Sequence, residues 1–184
     1  MFLQIDSSWT LFLDRDGVIN HKVDNDYVKT PAELRILPDV PAALRVLTPL
    51  FRHTLVVTNQ QGIGKGLMTE ADLEEVHRAL YEQLGQAGKG IDRIYHCPNL
   101  EADQAPCRKP NTGMAEQARH DFPGIDFSRS LMVGDSVSDM QFGRNAGMKT
   151  VMVTTHTALI RQHIDLIDFA VSDLFALASL LRAK

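Results

Sequence analysis

Trp9-Thr10-Leu11-Phe12-Leu13-Asp14-Arg15-Asp16-Gly17 is the stretch on which the reading of this chain turns. An apolar run ends abruptly in two aspartates two residues apart, and a glycine follows. The run is short and continuous, the pattern of a strand covered on both faces. Carboxylates just past the C-terminal end of such a strand stand where open α/β sheets place their sites. Gly17 lets the backbone turn sharply beside them. Taken alone, an Asp-x-Asp after a strand is as readily a polar turn as a site.

Similar endings recur along the chain. Thr54–Val57 runs into Thr58, Asn59 and Gln60, and Ser130–Val133 runs into Gly134 and Asp135, with Asp139 beyond. Ile91–Tyr95, Thr150–Val153 and Phe169–Val171 complete the expected strands. Helical spacing fills the gaps. Asp39 is placed to cap a helix beginning near Pro41. Thr69 with Asp72 forms a capping box before Leu73, Val76, His77, Leu80 and Leu84, and Gly85, Gly88 and Gly90 end that helix. On that face His77 reads as a packed core histidine. Further helices are expected at Gly113–Asp121, Ser138–Asn145, Thr157–His163 and Leu174–Leu181. The alternation predicts an α/β fold: one Rossmann-like domain over residues 1–184, with a mostly parallel sheet and helices on both faces. Val18–Leu37 lacks clear periodicity and reads as a long functional loop.

Composition narrows the function. Of 184 residues, 44% are hydrophobic and 23% charged, the balance of a globular protein with a sizeable core. A formal net charge of -4 argues against a nucleic-acid partner. No apolar run reaches the roughly 18 residues of a membrane span, and the N-terminus lacks a signal-peptide pattern. The two cysteines, Cys97 and Cys107, are too few for a disulfide scaffold. These features predict a cytoplasmic protein with reduced thiols. A monomer is the default expectation.

Asp14, Asp16, Asp135, Thr58 and Lys109 together offer carboxylates, a hydroxyl and a cation at one sheet edge. Taken singly, Lys109 is an ordinary surface lysine. Together the group suits phosphate chemistry, and its acidic oxygens suit Mg²⁺. The set Asp14-Arg-Asp-Gly-Val-Ile-Asn20, Thr58-Asn-Gln60, Lys109 and Gly134-Asp-Ser-Val-Ser-Asp139 resembles the four motifs of the haloacid dehalogenase (HAD) superfamily, in the family's order. The resemblance implies a phosphatase working through an aspartyl phosphate. Asp14 is then the nucleophile and Asp16 the acid and base. Thr58 and the amide of Asn59 take the phosphoryl oxygens, and Lys109 holds charge. Asp14, the backbone carbonyl of Asp16, and Asp135 hold Mg²⁺, with Asp139 behind them. Asn20, Asn59, Gln60 and Arg108 are assigned to the substrate.

The segments between motifs are too small for a separate cap domain, so loops must supply specificity, Asn20–Tyr27 first among them. Asp14-Arg-Asp-Gly, Thr58-Asn-Gln-Gln-Gly-Ile-Gly-Lys-Gly66, Cys97-Pro and Cys107-Arg-Lys-Pro110 resemble the branch holding histidinol-phosphate phosphatase and D-glycero-D-manno-heptose 1,7-bisphosphate phosphatase. Asp26-Tyr-Val28, Gly62–Gly66 and Thr112-Gly-Met114 look like the heptose enzyme. The lengths of the Asn20–Tyr27 and Cys97–Cys107 segments look like the histidinol enzyme. The implied substrate is a small phosphorylated metabolite, D-glycero-D-manno-heptose 1,7-bisphosphate losing its 7-phosphate, with histidinol phosphate as the alternative. That branch often carries a structural zinc on Cys-x-His and Cys-x-Cys. Here those positions read Cys97-Pro-Asn99 and Ala105-Pro-Cys107, so no structural zinc is expected. Other readings compete: a receiver-type signalling domain, an inactive binding module, or a nucleic-acid end-processing phosphatase. A receiver needs its acceptor aspartate after the third strand, where this chain has Tyr95-His-Cys-Pro98.

Overall fold

A computed structural model describes residues 4–182. Its six strands are β1 (Thr10–Leu13), β2 (His53–Asn59), β3 (Arg93–Cys97), β4 (Ser130–Gly134), β5 (Lys149–Val153) and β6 (Phe169–Val171). All pair in parallel, in the order β3-β2-β1-β4-β5-β6. The chain leaves β1 toward β2 and β3, then returns past β1 to build β4, β5 and β6. That reversal puts a switch point between β1 and β4, where open sheets leave a crevice.

The helices are α1 (Val40–Leu47), α2 (Glu70–Leu84), α3 (Gly113–Asp121), α4 (Val137–Ala146), α5 (Thr157–Gln162) and α6 (Leu174–Arg182). Alternation along β1 divides the core. Leu11 and Leu13 face one way and pack with Leu44 and Leu47 of α1, Val76 and Leu80 of α2, and Leu174 and Leu177 of α6. Phe12 faces the other way, toward Met114 and Ala118 of α3 and Phe142 of α4. Both faces are therefore covered, which is why the strands read as unbroken apolar runs. Burying each such Leu or Phe contributes roughly 1.5–3 kcal/mol. Among the described residues there is no separate cap domain.

The expected capping box is present: Asp72 N–H donates to Thr69 Oγ1 at 3.2 Å, and Thr69 N–H donates to Asp72 Oδ2 at 2.8 Å. Asp39 occupies the cap position of α1 but its side chain makes no capping bond. The third strand starts two residues later than Ile91. Ile91 packs instead against the core on the α1 and α2 side, and the Asp92 carboxylate accepts the N–H of Thr54 at 2.8 Å. The segment 18–37 has one short 3-10 turn, Pro31–Glu33, but it is pinned: Leu37 N–H donates to Ile19 O and His21 N–H to Arg35 O. Its Val18, Ile19, Val28 and Leu34 are buried in the core.

The expectation of reduced thiols is overturned. A disulfide joins Cys97, the last residue of β3, to Cys107. Folding back toward the sheet edge brings the two sulfurs together, a proximity that residue counting does not show. No helix among the described residues is long and apolar enough to cross a membrane.

Candidate active site

Parallel register sets the tips of three strands level. Leu13 pairs with Val56 on one side and Val133 on the other, and Asp14 N–H donates to Val133 O at 2.9 Å. Asp14 therefore leaves β1 beside Thr58 of β2 and Asp135 after β4. The crevice between them has a volume of about 450 Å³ and is lined by Asp14, Asp16, Thr58, Asn59, Lys109 and Asp135, among others. Two glycines make the approach possible. Gly17 has φ +92°, and a Cβ there would strike the Asp135 carboxylate. A Cβ on Gly134 would strike the side chain of Asp139.

Lys109 is the buried cation of the site. Its Nζ lies 2.7 Å from Asp14 Oδ1, 2.6 Å from Asp139 Oδ1 and 2.8 Å from Val57 O. Burial opposes its charge, but Asp139 and Asp14 outweigh that and hold its pKa above the ordinary range. The other oxygen of Asp139 caps α4, accepting from Ser136 N–H at 3.0 Å and Oγ at 2.6 Å. One ammonium thus serves two carboxylates. Burial, with Asp139 and Asp16 nearby, raises Asp14 to about 7 against the pull of Lys109. Asp135 is also raised, first by burial, although Lys22 Nζ lies 3.1 Å away. Oxygens of Asp14, Asp135 and Asp139 come within 4.8 Å of one another. This acidic cluster offers only hard oxygen donors and more negative charge than its neighbours neutralise, a fit for Mg²⁺.

Asp16 is held differently. Arg15 Nη2 donates to both its oxygens at 3.0 and 2.8 Å, Asn20 Nδ2 donates to Oδ1 at 2.8 Å, and Gln60 Nε2 to Oδ2 at 2.8 Å. Burial pushes Asp16 up, but Arg15 and the two amides together hold it below the usual carboxylate range.

The residues assigned to the substrate divide. Asn20 and Gln60 are fully buried and do not line the crevice, so they support Asp16 instead of touching substrate. Gln60 Nε2 also donates to Thr58 Oγ1 at 2.9 Å. Asn59 lines the crevice, yet its side chain is engaged by the Lys109 main chain. Arg108 does line the crevice, with Lys22, Tyr27 and Lys65. Tyr27 and Lys65 meet across it, Nζ to Oη at 3.0 Å. Of the polar residues expected in the specificity loop, Asp26 and Tyr27 line the crevice and Asp24 does not. Sequence reasoning missed Lys22 and the buried Arg15. Arg15 had a signal, a charged residue wedged between two aspartates, whereas Lys22 had none.

The sheet order and the acidic crevice at its switch point define a class first: an α/β enzyme built for phosphoryl groups. The HAD-hydrolase-like family profile matches residues 106–174. A D-glycero-alpha-D-manno-heptose-1,7-bisphosphate 7-phosphatase of Mycobacterium bovis is 41% identical over 74% of this chain and 72% of its own. A D-glycero-D-manno-heptose-1,7-bisphosphate 7-phosphatase of Chlorobaculum tepidum is 33% identical over 93% of this chain and 92% of its own. Among solved structures, the D,D-heptose 1,7-bisphosphate phosphatase from B. bronchiseptica, complexed with magnesium and phosphate, superimposes with a TM-score of 0.82 at 31% identity, covering 95% of this chain and 98% of that one. This chain belongs to the HAD-like hydrolase family, among its phosphatases.

Proposed function

We propose that this protein removes the 7-phosphate of D-glycero-D-manno-heptose 1,7-bisphosphate, with Asp14 as nucleophile and Asp16 as acid and base. The observation that carries the reading is the pair of Lys109 Nζ and Asp14 Oδ1 at 2.7 Å, inside a crevice also lined by Lys22, Lys65 and Arg108. Its carboxylates serve the bond that breaks, and Lys65 and Arg108 offer cations to a second phosphate. The named activities of relatives at 33–41% identity support the substrate.

Asp14 forms a bond to phosphorus as the ester bond to the leaving oxygen breaks. Protonated Asp16 gives its proton to that oxygen. The donors around Asp16 keep it ionised at rest, and an incoming phosphate dianion raises its affinity for a proton. In the second half, Asp16 takes a proton from water as water attacks the aspartyl phosphate, releasing inorganic phosphate and restoring Asp14. Thr58 Oγ1, which accepts from Gln60 Nε2, would take a phosphoryl oxygen together with the amide of Asn59. Lys109 fixes Asp14 and meets charge spread over the transferring group. Asp14, the Asp16 carbonyl and Asp135 would hold Mg²⁺, which neutralises the repulsion between a carboxylate nucleophile and a phosphate dianion.

The reading includes a cytoplasmic monomer without structural zinc. The Cys97–Cys107 disulfide pulls against a reducing compartment. Metal analysis of freshly isolated protein tests the absence of zinc, and light scattering in solution tests the monomer. The function is tested by phosphate release from the α and β anomers of the heptose bisphosphate and from histidinol phosphate, with Mg²⁺ and with chelator. Preference for histidinol phosphate, or full turnover by Asp14→Asn, sinks the proposal.

A further inference from the structure

Arg15 sits between the two aspartates in sequence, yet its side chain is fully buried and does not line the crevice. While Nη2 binds Asp16, Nη1 reaches Nε2 of His77 on α2 at 3.2 Å. Arg15 Nε has no hydrogen-bond partner among the described residues. A guanidinium only donates, so the His77 nitrogen facing it must accept, which places the imidazole proton on Nδ1. Burial first, then the charge of Arg15 and the neighbouring His96, lower the His77 pKa to about 3 and keep the ring neutral. The His96 ring stands 6.1 Å away, and its Nε2 pairs with Glu70 Oε2 at 2.7 Å. His77 is thus wedged between a paired histidine and a buried arginine that grips the acid–base residue.

We propose that His77 is a positioning residue: by accepting from Arg15 it fixes the guanidinium, and through it the orientation of the Asp16 carboxyl toward the leaving oxygen. The inference rests on the reading of Asp16 as the proton donor. Without an acceptor at position 77, Arg15 loses one of its few partners in a buried setting, and the fork that aligns Asp16 loosens. A histidine that merely fills space would leave this alignment alone.

The two cases separate by leaving group. An alkyl phosphate needs its departing oxygen protonated, whereas p-nitrophenyl phosphate leaves well as an anion. The ratio kcat/KM reports steps through the first irreversible one, here transfer to Asp14. For His77→Leu we expect kcat/KM on a sugar phosphate to fall by about 10- to 100-fold, a large part of a positioned acid's contribution. On p-nitrophenyl phosphate it should stay near the wild-type value. His77→Gln, which keeps an acceptor of similar reach, should recover most of the loss. If His77→Leu does not fold, His77→Asn, too short to reach Arg15, takes its place with the same expectation. An equal loss on both esters, or no loss on the sugar phosphate, overturns the inference. Wild-type protein that turns over neither ester overturns the phosphatase reading itself and this inference with it.

Discussion

Asn59 grips Lys109 by its main chain: Asn59 Oδ1 accepts the Lys109 N–H at 3.0 Å, and Asn59 Nδ2 donates to the Lys109 carbonyl at 3.1 Å. The end of β2 thereby sets where the lysine leaves its loop, and so where its ammonium meets Asp14. Asn59→Ala should destabilise the fold by about 1–3 kcal/mol, the usual effect of stranding part-buried polar groups. It should lower kcat more than it raises KM. Asn59→Asp keeps the acceptor but turns an oxygen toward the Lys109 carbonyl, so it should rescue little. Denaturant titration and steady-state kinetics of both variants check this.

Lys109 itself has three partners at 2.6–2.8 Å around one compact nitrogen. Lys109→Ala should cut kcat by about 10²–10³, the scale of removing one aimed donor. It also leaves the buried Asp14 and Asp139 carboxylates without their cation, a loss of about 3–5 kcal/mol. Excess Mg²⁺ should return part of that stability by binding the folded form. Lys109→Arg should fail to restore activity, because a planar fork does not fit a point-charge nest. Near-wild-type rates in Lys109→Arg contradict this account.

Lys22 reaches Asp135 at 3.1 Å from the solvent side, with its side chain about half exposed. Its ammonium competes for a carboxylate that the proposed metal also uses. Exposed ion pairs contribute about 0–1 kcal/mol, so Lys22→Met should tighten Mg²⁺ binding by about 2- to 5-fold. Calorimetric titration measures this without any turnover. Unchanged or weaker binding means that Lys22 does not compete.

His77 also makes stability depend on pH. Its folded pKa of about 3 lies below the ordinary value of 6.5. Between those values the unfolded chain binds more protons, so stability rises with pH there. The contribution is intact above about pH 6.5 and is lost as pH falls toward 3, at up to about 1.4 kcal/mol per pH unit. His77→Gln should flatten that part of the curve. Asp14, raised by burial to about 7, titrates in the opposite direction over this range and remains in both proteins, whereas Asp16, held below the usual carboxylate range, acts only at lower pH. Lowering the pH from 7 to 5 should therefore reduce the melting temperature less in the variant than in the wild type.

Much of this protein was legible in its sequence. Gly113–Asp121 and Phe169–Val171 form the elements expected of them, and Thr69 with Asp72 closes its capping box. These features are local: periodicity, caps and apolar runs record which way neighbouring residues face, and backbone hydrogen bonds do the rest. The placement of Asp14, Thr58 and Asp135 at one edge followed from strand endings and a parallel sheet, and Lys109 joined them through the motif resemblance. What lay beyond reach was the partner of each polar group. Asn59 and Lys109 are 50 positions apart, and Arg15 and His77 are 62 apart. Nothing in the spacing of either pair reports that α2 docks over Arg15 or that the loop after β3 folds back onto β2. Asn20 and Gln60 looked like substrate contacts because amides suit sugars, but burial assigned them to Asp16. The sequence by itself determined which groups stand at the sheet edge. Only the tertiary structure decided which groups face substrate and which hold them in place, because a side chain's partner depends on how two distant elements pack, and packing is not written in either one alone.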